Sequence, residues 1–111
     1  MGSEMCIRDR CTPVSFNPKY LDAIPREVIE RDYGCGDPTK YVKQNDVVLD
    51  LGSGSGKNAF ICAQIVGRDG QIIGVDQNKD MLKLSRDSIE YVANNIGYKN
   101  TQFIELSLIH I

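Results

Sequence analysis

The chain has 111 residues, a formal net charge of −2, 25% charged and 41% hydrophobic residues. That length and balance point to one globular domain with a modest core. No surplus of basic residues marks nucleic acid as a partner, no apolar run is long enough to cross a bilayer, and the N-terminus lacks the apolar segment of a secretory signal. A cytoplasmic location and no membrane partner are therefore expected. Four cysteines, Cys6, Cys11, Cys35 and Cys62, form no C-x-x-C pair, and His110 is the single histidine. No metal site is expected from that set, and free thiols are expected rather than disulfides.

Residues 1–19 carry Pro13, Asn17 and Pro18 without periodicity and read as irregular. A short helix is expected over 24–33, with Pro25 in the first turn and Gly34 as the stop. Gly34-Cys35-Gly36-Asp37-Pro38 is a turn that holds a thiol between two glycines. A first strand over 46–51 is apolar at both alternating positions, as in a parallel strand covered on both faces. A largely buried helix starts near Lys57, carries Phe60, Ile61, Ala63 and Ile65, and ends at Gly67. Cys62 on that helix reads as a small core residue. A second strand spans 71–76. Asn78 then caps a helix in which Leu82, Ser85, Ile89, Val92 and Ile96 recur at helical spacing, and Gly97 closes it. A third strand spans 101–106.

The order βαβαβ gives an α/β fold, a Rossmann-like doubly wound parallel sheet that is partial and truncated after strand three. Met5-Cys6-Ile7-Arg8-Asp9-Arg10 and Ser107-Leu108-Ile109-His110-Ile111 resemble peptides obtained when sequencing-adapter DNA is translated. The expected organisation is an irregular or non-native segment 1–19, a partial domain 20–106 and a non-native tail 107–111. Cys6 and His110 then carry no functional weight and Cys11 little.

The first strand runs into Asp50-Leu51-Gly52-Ser53-Gly54-Ser55-Gly56, and the second ends in Asp76. A phosphate-binding loop of the form G-x-x-x-x-G-K-[ST] fails, because Leu51 stands at its first glycine and Asn58 at its hydroxyl position. A dinucleotide fingerprint G-x-G-x-x-G/A fits Gly54-Ser55-Gly56-Lys57-Asn58-Ala59, with Asp76 at a ribose distance, but Asp50 to Ser53 then intervene between strand and loop. The pattern [D/E]-x-G-x-G-x-G, the S-adenosylmethionine loop of class I methyltransferases, is met in full by Asp50, Gly52, Gly54 and Gly56. An acid beside the loop suits a cationic sulfonium, whereas it would repel a pyrophosphate. Glycines at 52 and 54 let the backbone approach a ligand without Cβ contact, and Asp76 can accept bonds from both ribose hydroxyls. The bland alternative is that the glycines are turn residues and Asp76 a helix cap.

From Tyr20 to Leu106 the chain resembles class I S-adenosylmethionine-dependent methyltransferases, most of all the arsenite methyltransferase-like group. Tyr33-Gly34-Cys35-Gly36-Asp37-Pro38 looks like that group's G-C-G-x-P segment. Val48 to Gly56 and Gln64 to Asp76 carry the rest. The resemblance implies S-adenosylmethionine as cofactor. It places Asp50 and Gly52 near the methionine moiety, Ser53, Gly54 and Gly56 with them in the cofactor-binding loop, Asp76 on the ribose, and Gln77 and Met81 beside the adenine. It makes Cys35 a candidate for substrate thiol chemistry, since soft thiolates suit trivalent arsenic. The expected function is methyl transfer to a small-molecule acceptor, arsenite in that group. Two other readings stand beside it: an inactive cofactor-binding fragment and an NAD(P)-dependent oxidoreductase.

Overall fold

The structure is a computed structural model, and it describes residues 19–31 and 41–108. Two short helices, α1 (Lys19–Asp22) and α2 (Arg26–Glu30), precede β1 (Val47–Leu51), α3 (Lys57–Val66), β2 (Gln71–Asp76), α4 (Lys79–Ile96) and β3 (Thr101–Glu105), and a 3-10 turn (Leu106–Leu108) follows. The strands form one parallel sheet in the order β1-β2-β3. Val48 pairs with Ile72 and Gly74 with Phe103, so Val48, Ile72 and Phe103 share one face. Ile72 and Phe103 belong to a core built with Ala59, Phe60, Cys62, Ala63 and Val66 of α3 and Leu82 and Val92 of α4, and the half-buried Val48 packs against it. The expected Rossmann-like α/β arrangement is therefore present.

The expectation that β1 is covered on both faces is corrected. Val47, Leu49 and Leu51 are 70%, 59% and 71% exposed. The reason is topological. Both crossovers step in the same direction across the sheet, and right-handed connections that step the same way lay their helices on the same face. Val48 faces those helices; the odd-numbered residues of β1 face away.

Local chemistry explains most boundaries. Asn78 accepts a hydrogen bond from the Met81 amide at 3.1 Å and starts α4. Gly97, in the left-handed region with φ 94°, ends it. The helix expected over 24–33 is shorter, Arg26–Glu30, and a separate short helix, α1, precedes it. Pro25 is the residue before α2, with φ −57° and ψ 141°. A proline also turns the residue ahead of it away from helical angles, which breaks the chain between α1 and α2. Lys19, expected in an irregular stretch, already lies in α1. β3 stops at Glu105, one residue early, because Leu106 enters the 3-10 turn. Tyr33 to Pro38, with Cys35, lie outside the described residues, as do Cys6, Cys11 and His110.

Two long-range contacts tie the turns together. Asn100 Nδ2 donates to the carbonyls of Ala63 (3.0 Å) and Gly67 (2.9 Å), closing the end of α3 from the start of β3. Arg86 donates twice to the Phe103 carbonyl, at 3.0 and 2.9 Å.

Candidate functional site

The carboxyl ends of β1 and β2 lie side by side, with Leu51 opposite Val75. β1 continues into the loop Gly52–Gly56, where Gly52, Gly54 and Gly56 all have positive φ, 72°, 57° and 99°. Side chains rarely adopt those angles, so the loop's shape requires the three glycines. They do different work. Among the described residues, a Cβ built on Gly52 or Gly54 would meet nothing within 4 Å, so both face open space there. A Cβ on Gly56 would lie 3.0 Å from Phe60, 3.1 Å from Phe103 and 3.2 Å from Ser85. Gly56 thus faces the core, over the edge-on pair of Phe60 and Phe103 rings, whose centroids are 5.4 Å apart.

The loop amides point inward. Those of Gly52 and Ser53 donate to the Val75 carbonyl at 2.7 and 2.9 Å, and that of Gly56 donates to the Ser53 carbonyl at 3.0 Å. The Gly54 amide donates to Asp76 Oδ2 at 2.7 Å. Asp76 Oδ1 accepts from the Asn78 amide at 2.8 Å. A phosphate-binding nest needs its amides turned toward the ligand. Four of this loop's amides are committed to the protein instead.

Below the loop, Ser55 Oγ donates to the Val28 carbonyl at 2.7 Å, buried, and so ties α2 to the loop. Ser53 is also buried, with its side chain close to Gly74 and its hydroxyl without a hydrogen-bond partner among the described residues. Sequence reasoning missed the Ser55 anchor, because its partner lies 27 residues away. It also missed the support from Phe103, whose only local sign is an aromatic residue in a strand.

Asp50 and Asp76 are half-buried at the ends of their strands, Met81 is half-buried in the first turn of α4, and Gln77 is exposed beside it. The structure thus gathers Asp50, Gly52, Ser53, Gly54, Asp76, Gln77 and Met81 at one end of the sheet, while Cys35 lies outside the described residues. Cys62 is in the core, on the far side of β1 from open solvent. A hollow of about 120 Å³ at the β1 edge, lined in part by Val48, Asp50, Asn58 and Cys62, is too small for a nucleoside ligand, since such sites run to about 300 Å³ and above. No cluster of three metal-ligating side chains occurs among the described residues. No helix among them is long and apolar enough to cross a membrane.

Comparisons with known proteins give the family. A family model described as a methyltransferase domain matches residues 42–111. The chain is similar to an arsenite methyltransferase of Rattus norvegicus, 36% identical over 92 residues, covering 79% of this chain and 25% of that protein. It is similar to another from Aquipseudomonas alcaligenes, 35% identical over 97 residues, covering 84% and 28%. Among solved structures it resembles an arsenic(III) S-adenosylmethionine methyltransferase from Chlamydomonas reinhardtii, with a TM-score of 0.73 and 34% identity over 82% of this chain and 32% of that one. The chain spans about a quarter of the length of these curated relatives.

Proposed function

The chain belongs to the class I S-adenosylmethionine-dependent methyltransferases, and on that premise we propose that it binds S-adenosylmethionine over the Gly52–Gly56 loop and serves methyl transfer to a small soft acceptor. Trivalent arsenic is the acceptor that the relatives' names support. The observation that carries the reading is the loop itself. Four of its amides are held by the protein, which argues against a phosphate cradle, while Gly52 and Gly54 leave open space for a ligand to lie against the backbone.

When bound, the cofactor would supply a sulfonium methyl for in-line transfer to the acceptor's lone pair, with the thioether S-adenosylhomocysteine as the leaving group. The chain's own residues bind and orient. Asp50 puts negative charge at the end of β1, which favours a cationic centre nearby. Each oxygen of Asp76 accepts one protein bond and keeps capacity for a ribose hydroxyl. Gln77 and Met81 flank the adenine side. Holding the reacting groups in register supplies most of what such a displacement needs. A soft lone pair carries no proton to remove, so no general base is required. Cys35 is the candidate for thiol chemistry on the acceptor.

The matched relatives are methyltransferases, and the nicotinamide-dependent alternative finds no support among them. Isothermal titration should show S-adenosylhomocysteine binding at least tenfold more tightly than NADH; tighter binding of NADH overturns the reading. A second reading, cofactor binding without turnover, is favoured by the share of the relatives that the chain spans. Transfer of labelled methyl to arsenite in the presence of a thiol would decide for activity, and binding without transfer would decide for the second reading.

A further inference from the structure

Asp76 holds the glycine loop from the side. Its Oδ2 takes the Gly54 amide at 2.7 Å, across 22 residues of chain, and its Oδ1 takes the Asn78 amide at 2.8 Å. Gly54 stands at the middle of the loop in a left-handed conformation, φ 57°. The neighbouring amides of Gly52 and Ser53 reach the backbone carbonyl of Val75, which any residue at 75 would supply. The bond at Gly54 differs, because it depends on a side chain. Bonds from amides to a carboxylate are shorter and stronger than those to neutral acceptors. Without this one, the middle of the loop has lost its tie to β2.

The same carboxylate is the expected acceptor for the ribose hydroxyls, and its oxygens have lone pairs for both tasks. We infer that Asp76 is a positioning residue for the glycine loop, acting on the methionine side of the site through Gly54, in addition to its contact with the ribose. The inference rests on the cofactor site proposed above. It predicts that Asp76 matters even for a ligand that has no ribose hydroxyls to offer.

The test uses the full chain, two ligands and one ligand-free measurement. The ligands are S-adenosylhomocysteine and its 2′,3′-dideoxy counterpart, titrated into the wild type, Asp76→Ala and the isosteric Asp76→Asn. Asp76→Asn guards against a folding failure of the alanine variant, and melting temperatures are taken for all three. Loss of the loop tie should weaken the dideoxy ligand roughly tenfold or more, the scale for a hydrogen bond to a charged group, at a melting temperature that permits full folding. A carboxylate that acted on the ribose alone would leave the dideoxy ligand's affinity unchanged, and that result overturns the inference. Without ligand, the Gly54 amide proton should resonate downfield and exchange slowly in the wild type, and exchange about tenfold faster or more in Asp76→Ala, with Asp76→Asn, which keeps one neutral acceptor oxygen, in between. Equal Gly54 shifts and exchange rates in all three proteins would likewise sink it. If the wild type binds neither ligand, the cofactor reading fails, and the Gly54 measurement still judges the clasp.

Discussion

Two turns leave neighbouring parallel strands at the same end of the sheet, and they are built in opposite ways. The turn from β1 to α3 has five residues, three of them left-handed glycines, and α3 begins at Gly56 with no side-chain cap. The turn from β2 to α4 has two residues, Gln77 and Asn78, and the Asn78 side chain caps the helix at 3.1 Å. The second turn satisfies its helix with its own side chain. The first gives α3 no side-chain cap and, among the described residues, leaves the space over Gly52 and Gly54 open. Asp76 sits between the two and bonds to both.

The contrast predicts that damage to the open side of the first turn, at Gly54, appears in ligand affinity, while damage to its buried anchor Ser55 or to the second turn appears in stability. The largest effect should come from Gly54→Val. A β-branched residue at φ 57° costs about 1–2 kcal/mol in backbone strain, and its methyl groups occupy the open space. S-adenosylhomocysteine affinity should fall roughly a hundredfold or more for such combined strain and overlap; normal binding by titration would break the comparison at its first half. Ser55→Ala should follow. It strips the buried Val28 carbonyl of its donor and should cost about 1–3 kcal/mol in urea unfolding, with a smaller loss of affinity. Asn78→Ala should cost about 1 kcal/mol of stability and leave affinity within about twofold, because the backbone amide that reaches Asp76 is kept. A loss of affinity larger than its loss of stability would show that the second turn is part of the ligand surface. Leu49→Lys, on the exposed face of β1, should change stability by no more than about 0.5 kcal/mol.

What could be read from sequence follows the range of the forces. The bounds of β2 and α3, the Asn78 cap and the Gly97 stop rest on signals within a few residues, and each was legible. So was the family, because Asp50, the three glycines and Asp76 occur in order within one crossover. The inward face of Gly56 was not legible, since it depends on Phe103, 47 positions later, and neither was the Ser55 anchor on α2. The start of α2 at Pro25 was legible, while the separate helix Lys19–Asp22 ahead of it was not, since the residues before it show no periodicity. The bare side of β1 was misread because alternation tells which residues share a face, while only the order of strands tells whether that face is covered.

That bare side has a consequence for the protein in solution. Val47, Leu49 and Leu51 make a greasy stripe along a strand whose outer edge has no neighbouring strand among the described residues. A net charge of −2 offers little mutual repulsion between molecules. Concentration, more than heat, should therefore set the limit on handling the chain. Light scattering should rise with protein concentration well below the unfolding temperature, and Leu49→Lys should push that onset upward.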